Sequence, residues 1–246
     1  MSVPLTHPRY HSLMMREKLI EGWEKGVVAT AGLMAHGRGE AFDYLLGEKT
    51  IPQAEKAEKV AAVHLLNAEH PVISVNGNTA VLAGRECVEL AALLGAPLEV
   101  NLFYWSEKRV RSIVEFLKSL GAESVLGLYP DRQIPGIEHR RGRVCSEGIY
   151  RADVVLVPLE DGDRTQALVN MGKCVIAVDL NPLSRTSQSA TVSIVDNVTR
   201  AIPILIKFVK EFKSDDKRDR ILHEFNNQTN LGECLRYISQ QLMSMG

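Results

Sequence analysis

The sequence predicts an α/β chain whose mostly parallel sheet of about six strands is flanked by helices, and three observations carry that prediction. From residue 70 onward, short β-branched runs at residues 72–75, 98–103, 124–128, 153–157, 174–178 and 191–195 alternate with helical periods. Runs such as VVLV and VIAV do not alternate in polarity, as expected of strands covered on both faces. The segments between them are amphipathic and capped: in SEKRVRSIVEFLKSLG, Ser106 caps the start and Gly121 the end.

The first 70 residues read as a helical preface. They hold a helix over 10–25, a short strand or turn over 33–36, and helices over 41–46 and 53–69. Within the sheet region, residues 130–150 form a long connection rich in Gly, Pro and charge, a length that in a compact domain points to function or poor order. Residues 1–213 are therefore expected to form one α/β domain that includes the preface. Residues 214–246 supply a linker turn, marked by the charge run KSDDKRDR, and a last amphipathic helix from about Asn230. Its apolar seam of Leu231, Leu235, Ile238, Leu242 and Met245 suits either association with another chain or docking on its own domain.

Composition narrows the function classes. With 29 Lys plus Arg against 30 Asp plus Glu, the chain lacks the basic excess of a nucleic-acid binder, so an anionic ligand must be met by local clusters. Cys87, Cys145, Cys174 and Cys234 are far apart and form no CxxC pair, which predicts reduced packing residues. No window approaches the roughly 18 to 20 apolar residues of a membrane span, and the N-terminus has no signal-peptide core, so a cytoplasmic protein is expected.

In an open parallel sheet, ligands bind beyond the carboxyl ends of the strands. Polar groups gather there repeatedly: Asn76, Gly77 and Asn78; Asn101; Glu160, Asp161 and Asp163; Asp179 to Thr186; Asp196 and Asn197. Such residues also serve plain turns, which accounts for any one cluster better than for the whole set. Asn181-Pro182 holds its loop extended, and Arg185 with Thr186 offers a forked cation and a hydroxyl of the kind a phosphate or carboxylate takes. Arg16 lies at helical spacing among Leu13, Ile20, Trp23 and Val27, so its head needs either an internal carboxylate, water or an anionic ligand. HGRGEAFDYLLGE, residues 36–48, reads as a Gly-Arg-Gly turn before a helix, a phosphate-favouring layout that is neither a dinucleotide fingerprint nor a P-loop. His64 reads as a packed helix residue, and Arg140, Arg141 and Arg143 as a solvated patch or a charge cluster beside a phosphate site. Asp161 and Asp163 are candidates for holding Mg²⁺, while Asp163 also suits a helix cap.

Taken together, HPRY…REKL, HGRGEAFDYLLGE, HPVISVNGN, VPLEDGDRT, DLNPLSRT and IVDNVTRAIP, in order across residues 7–203, resemble the archaeal phosphopantothenate synthetases, the 4-phosphopantoate–β-alanine ligases of coenzyme A biosynthesis. The resemblance implies a Rossmann-like homodimer that uses ATP, with Mg²⁺, to join 4-phosphopantoate and β-alanine, releasing AMP and pyrophosphate. Carried to matching positions, it implies ATP contacts at Arg16, Arg38, Asp179, Leu180, Asn181, Arg185, Thr186, Asn197 and Val198. Asn76, Asn78 and Asn101 are the candidates for the second substrate; no residue is marked as the general base. Two other classes fit a similar sheet: an NAD(P)-binding oxidoreductase, which needs a glycine fingerprint not present here, and a non-catalytic nucleotide sensor.

Overall fold

A computed structural model describes residues 4–215 and 218–244. Asp216 and Lys217 of the charge run, and Met245 of the expected C-terminal seam, lie outside the described residues. Three helices come first, α1 (Tyr10–Glu24), α2 (Thr30–Leu46) and α3 (Pro52–Asn67). The alternating part follows: β1 (Pro71–Val75), α4 (Gly77–Leu94), β2 (Leu98–Val100), α5 (Glu107–Ser119) and β3 (Val125–Leu126). After a short antiparallel pair, β4 (Arg132–Gln133) and β5 (Arg143–Val144), come β6 (Val154–Pro158), α6 (Gly162–Asn170), β7 (Cys174–Val178), α7 (Arg185–Ser189) and β8 (Val192–Ile194). The chain closes with α8 (Val198–Phe212), α9 (Arg220–His223) and α10 (Asn227–Ser244).

The main sheet is parallel throughout, in the order β3-β2-β1-β6-β7-β8. Counting only its own strands, that is 3-2-1-4-5-6, the doubly wound order in which the chain reverses direction between β1 and β6 and leaves a crevice there. Strand residues point alternately to two cores. Ile73, Val75, Leu156, Ile176 and Val178 join the larger one with residues of α3, α4, α5 and α8. Val72, Val155, Val157, Val175 and Ala177 join a second core with Leu168 of α6 and Ile134, Val144 and Ile149 of the long connection. Both faces are thus covered, which is why the runs carry no polar alternation, and each fully buried aliphatic chain contributes about 1.5–3 kcal/mol.

Four expectations are corrected. Residues 33–36 are neither strand nor turn, because α2 runs unbroken from Thr30 to Leu46; Gly37 and Gly39 lie inside it, and the helix stops at Gly47 with φ +81°. A packed helix tolerates the roughly 1 kcal/mol that each interior glycine costs relative to alanine. The Gly-Arg-Gly segment is accordingly no helix N-terminus and offers no free backbone N–H groups. The second and third strands are shorter than their apolar runs, ending at Val100 and Leu126. The 130–150 connection is ordered: buried Glu99 of β2 accepts the N–H groups of Cys145 at 2.9 Å and Ile149 at 2.6 Å, Asp131 accepts the Ser146 N–H at 2.7 Å, and burial raises the Glu99 pKa to about 7. Finally, α10 starts at Asn227 and turns Leu231, Cys234 and Ile238 inward against Leu46, Ile51, Ala54 and Val195, while Leu242 is exposed. The inward line keeps Leu231 and Ile238 of the seam read from the sequence but takes Cys234 in place of Leu235, and of the two expected roles the described helix shows docking on its own chain.

Candidate active site

A cleft of about 660 Å³ opens where β1 and β6 diverge. Its walls come from the ends of β1, β2, β6, β7 and β8, with α2 along one side. Asn76, Asn78, Asn101, Asp161, Asp179, Leu180, Asn181, Arg185, Thr186, Asn197 and Val198 all line it, together with Arg38 of α2. Parallel topology does this: residues scattered over more than 120 positions in the chain follow strand ends that lie side by side, as the separation of Asn76 from Asn197 shows.

Much of their hydrogen-bonding capacity shapes the cleft itself. Asn76 caps α4 by accepting Thr79 N–H at 3.0 Å, and its Nδ2 donates to the Leu159 carbonyl at 2.8 Å. Leu159, just after β6, has φ +57°, a left-handed conformation that costs a non-glycine residue of order 1–3 kcal/mol and is held by its N–H donating to the Val178 carbonyl and its carbonyl accepting from Asn76. A Cβ on Gly77 would meet the Val27 carbonyl at 2.2 Å, so the second glycine-like position after β1 serves close packing of the chain before α2. No G-x-G-x-x-G follows β1, where the sequence is NGNTA. Asn78 donates to the Gly32 carbonyl at 2.8 Å, and Asn101 to the Arg143 carbonyl at 2.8 Å, leaving the buried Asn101 Oδ1 without a partner among the described residues.

The loop after β7 is self-supporting. Asp179 accepts the Ser184 hydroxyl at 2.6 Å and the Asn181 N–H at 2.9 Å, while burial pushes its carboxyl above its usual range. Thr186 is buried and donates its hydroxyl to the Glu160 carbonyl at 2.8 Å, tying this loop to the one after β6. Arg185 is largely exposed and pairs with Asp163 at 2.5 Å. Beneath the cleft, buried Arg164 reaches Glu160 at 2.5 Å and Ser74 Oγ at 2.9 Å.

Two of the candidates stand off the cleft lining. Arg16 donates to Glu40 of α2 at 2.5 Å, with its side chain 42% exposed, so its partner is the internal carboxylate rather than one on its own helix. Burial pushes the Glu40 carboxyl up, but hydrogen bonds from Arg16 and Ser12 outweigh it and hold the group below its usual range. Around Arg16, Ile20 and Trp23 are partly exposed, and α1 buries Ser12, Leu19 and Gly22 instead of the line through Leu13, Ile20 and Trp23. Asp163 is engaged by Arg141 and Arg185, and Asp161 caps α6 through Asp163 N–H and takes Arg141 at 2.7 Å. With their oxygens claimed by arginines, these two carboxylates do not fit a protein-held metal, and no group of three metal-binding side chains occurs among the described residues.

Residues 53–241 match the phosphopantothenate/pantothenate synthetase family. The chain belongs to that family. It is 54% identical to a 4-phosphopantoate–β-alanine ligase of Thermococcus kodakarensis over 98% of this chain and 94% of the relative. A ligase of the same description from Methanosarcina mazei is 51% identical over 99% and 96%, and one from Methanospirillum hungatei is 50% identical over 99% of both chains. The cleft also brings in two residues that the sequence does not single out. His36 lines the cleft with its Nε2 buried and unpartnered among the described residues, and burial holds its pKa below the usual imidazole value. In the sequence it is one residue of HGRGEAFDYLLGE, with nothing local to set it apart. Arg109 also lines the cleft, although in the sequence it is one cation in a well-capped amphipathic helix, with nothing local to single it out. No helix among the described residues is long and apolar enough to cross a membrane.

Proposed function

We propose that this family member condenses 4-phosphopantoate with β-alanine, using ATP and releasing AMP and pyrophosphate, to make the 4'-phosphopantothenate needed for coenzyme A. The observation that carries the reading is the cleft at the β1/β6 switch point, where Arg38, Asp179, Leu180, Asn181, Arg185, Thr186, Asn197 and Val198 meet Asn76, Asn78 and Asn101. The names of the relatives, at 50–54% identity, supply the substrates.

The first group is assigned to the nucleotide: Arg38 and Arg185 to its phosphates, and the Asp179–Asn181 loop and the start of α8 to ribose and base. The asparagines are assigned to the acid. Arg16 supports α2 through Glu40 and acts on the nucleotide through the placement of Arg38. The acid's carboxylate oxygen attacks the α-phosphorus, the bond to the bridging oxygen breaks, and pyrophosphate leaves. The amine of β-alanine, having lost a proton, then attacks the acyl carbon and expels AMP. Side chains contribute position and positive charge to the charge gathering at phosphorus. Mg²⁺ is inferred to arrive bound to ATP phosphates, where it supplies further charge neutralisation; no protein carboxylate is assigned to it. The four unpaired cysteines favour action in the reducing cytoplasm, and a homodimer follows from the family resemblance.

The test is turnover of purified protein with ATP, Mg²⁺, 4-phosphopantoate and β-alanine, with products resolved by mass spectrometry. Equimolar 4'-phosphopantothenate and AMP are expected, with pantoate a poor substitute. Absence of amide product with either acid refutes the assignment.

A further inference from the structure

Beside the cleft lies a second hollow of about 670 Å³, lined by Trp23, Thr30, Trp105, Ser106 and Lys108. Ala29, Ala31, Tyr104 and Arg109 line both hollows, so Arg109 stands at their junction. Its electrostatic situation differs from that of most arginines around it. Arg16, Arg141, Arg164, Arg185 and Arg200 each have a carboxylate within 3.2 Å. Arg109 is half-buried and forms no ion pair among the described residues. Its Nη1 donates to the Tyr104 carbonyl at 2.9 Å, and its Nε is buried without a partner. Desolvation lowers its pKa, yet a guanidinium keeps its proton at neutral pH, so the charge itself stays uncompensated. Two more arginines, Arg140 and Arg143, form no ion pair among the described residues and lie over the Trp105 ring at 5.8 and 5.6 Å, adding positive charge beside the same hollow.

We propose that Arg109 is the phosphate-binding residue for the acid substrate: it takes a phosphate monoester whose carboxylate end faces the nucleotide in the adjoining cleft. The proposal rests on the ligase reading above and deepens it. The acid is anionic at both ends, and only one end reacts. The other end needs a cation that is not already neutralised by a carboxylate and that a forked guanidinium can grip. Between the two ends the acid carries a quaternary carbon with two methyl groups, and Leu82, Leu102 and Phe103 of the cleft wall provide apolar contact for it.

Steady-state kinetics on full-length Arg109→Gln and Arg109→Lys tests this, varying 4-phosphopantoate, ATP and β-alanine in turn and using pantoate as the acid without phosphate. Arg109→Gln is expected to raise KM for 4-phosphopantoate by about 30-fold or more, as loss of a cation facing a buried anion does, with KM for ATP and β-alanine within about threefold of the parent. Turnover of pantoate should not fall, and Arg109→Lys should recover part of the loss. If Arg109→Gln does not fold, Arg109→Lys alone must still raise KM for 4-phosphopantoate and leave that for ATP unchanged. A rise confined to β-alanine, an equal loss with both acids, or parent-like use of 4-phosphopantoate overturns the assignment while leaving the ligase reading standing. A parent protein inert with both acids overturns the ligase reading and this assignment together.

Discussion

Asn197 Nδ2 donates to the Asp43 carboxylate at 3.0 Å, joining the start of α8 to α2 across 154 residues of sequence. Arg200 completes the junction, reaching Asp43 at 2.6 Å and Asp196 at 2.5 Å, and Thr50 donates to Asp196 at 2.5 Å. Asn197 is also fixed by accepting Thr199 N–H at 3.1 Å, so its rotamer is held from both ends. The same helix that carries Arg38 is thereby locked to the loop assigned to the nucleotide.

Asp43→Ala should therefore act on both stability and binding. It removes one carboxylate from a largely buried Arg200 and unties Asn197, which predicts a loss of about 2–4 kcal/mol, less than a fully broken buried pair because Asp196 remains. Urea denaturation measures the first effect. ATP titration measures the second, and a dissociation constant equal to the parent's would detach this junction from the nucleotide site.

Glu58 of α3 predicts how stability responds to pH. It is fully buried, neither carboxyl oxygen has a partner among the described residues, and burial with the nearby Asp196 charge pushes its pKa to about 9. The folded chain holds this proton between about pH 4.5 and 9, where the unfolded chain has released it, so folding loses stability as pH rises through that window. Glu58→Gln keeps the shape and removes the titration. Its melting temperature should match the parent's near pH 4.5 and exceed it increasingly toward pH 9. A constant difference across that range would show that Glu58 does not carry the dependence.

Arg16 and Arg38 separate support from contact. Arg16→Ala leaves buried Glu40 with the Ser12 hydroxyl and a longer Arg9 contact at 3.8 Å, predicting a loss of about 1–2 kcal/mol of stability. Arg38→Ala removes an exposed cleft-wall cation and should leave the melting temperature unchanged while weakening ATP at least about tenfold. If Arg16→Ala keeps full stability and weakens ATP as much as Arg38→Ala, then Arg16 reaches the nucleotide itself.

What was legible follows from which forces are local. The six strands show in the sequence because burial on both faces demands continuous apolar runs, and the cleft shows because parallel strands align their polar ends. The course of α2 does not show: Gly37 and Gly39 look like a turn until packing against neighbouring elements outweighs their helix cost. The Arg16–Glu40 pair joins two helices at a separation no helical wheel can register. Arg109 is silent in sequence because its isolation depends on the Tyr104 carbonyl and on a junction with Ala29 and Ala31, about 80 residues earlier in the chain.

The order of chemical steps gives the last prediction. Joining a carboxylate to an amine with ATP requires an activated acyl group, and among the described residues the cleft hydroxyls of Ser184 and Thr186 are engaged by the Asp179 carboxylate and the Glu160 carbonyl, not by a histidine base. Cys87 and Cys234 are pushed by burial to about 12 and Cys145 and Cys174 to about 11, and none of the four lines the cleft, so thiolates are scarce at neutral pH. Activation must then occur on the substrate's own carboxylate. With Mg²⁺, ATP and 4-phosphopantoate but no β-alanine, the protein should exchange labelled pyrophosphate into ATP, given that pyrophosphate leaves before the amine binds. Omitting 4-phosphopantoate should abolish the exchange. Formation of ADP and phosphate in the complete reaction would instead mean an acyl phosphate, and Arg38 and Arg185 would then have to serve attack at the terminal phosphorus rather than departure of pyrophosphate.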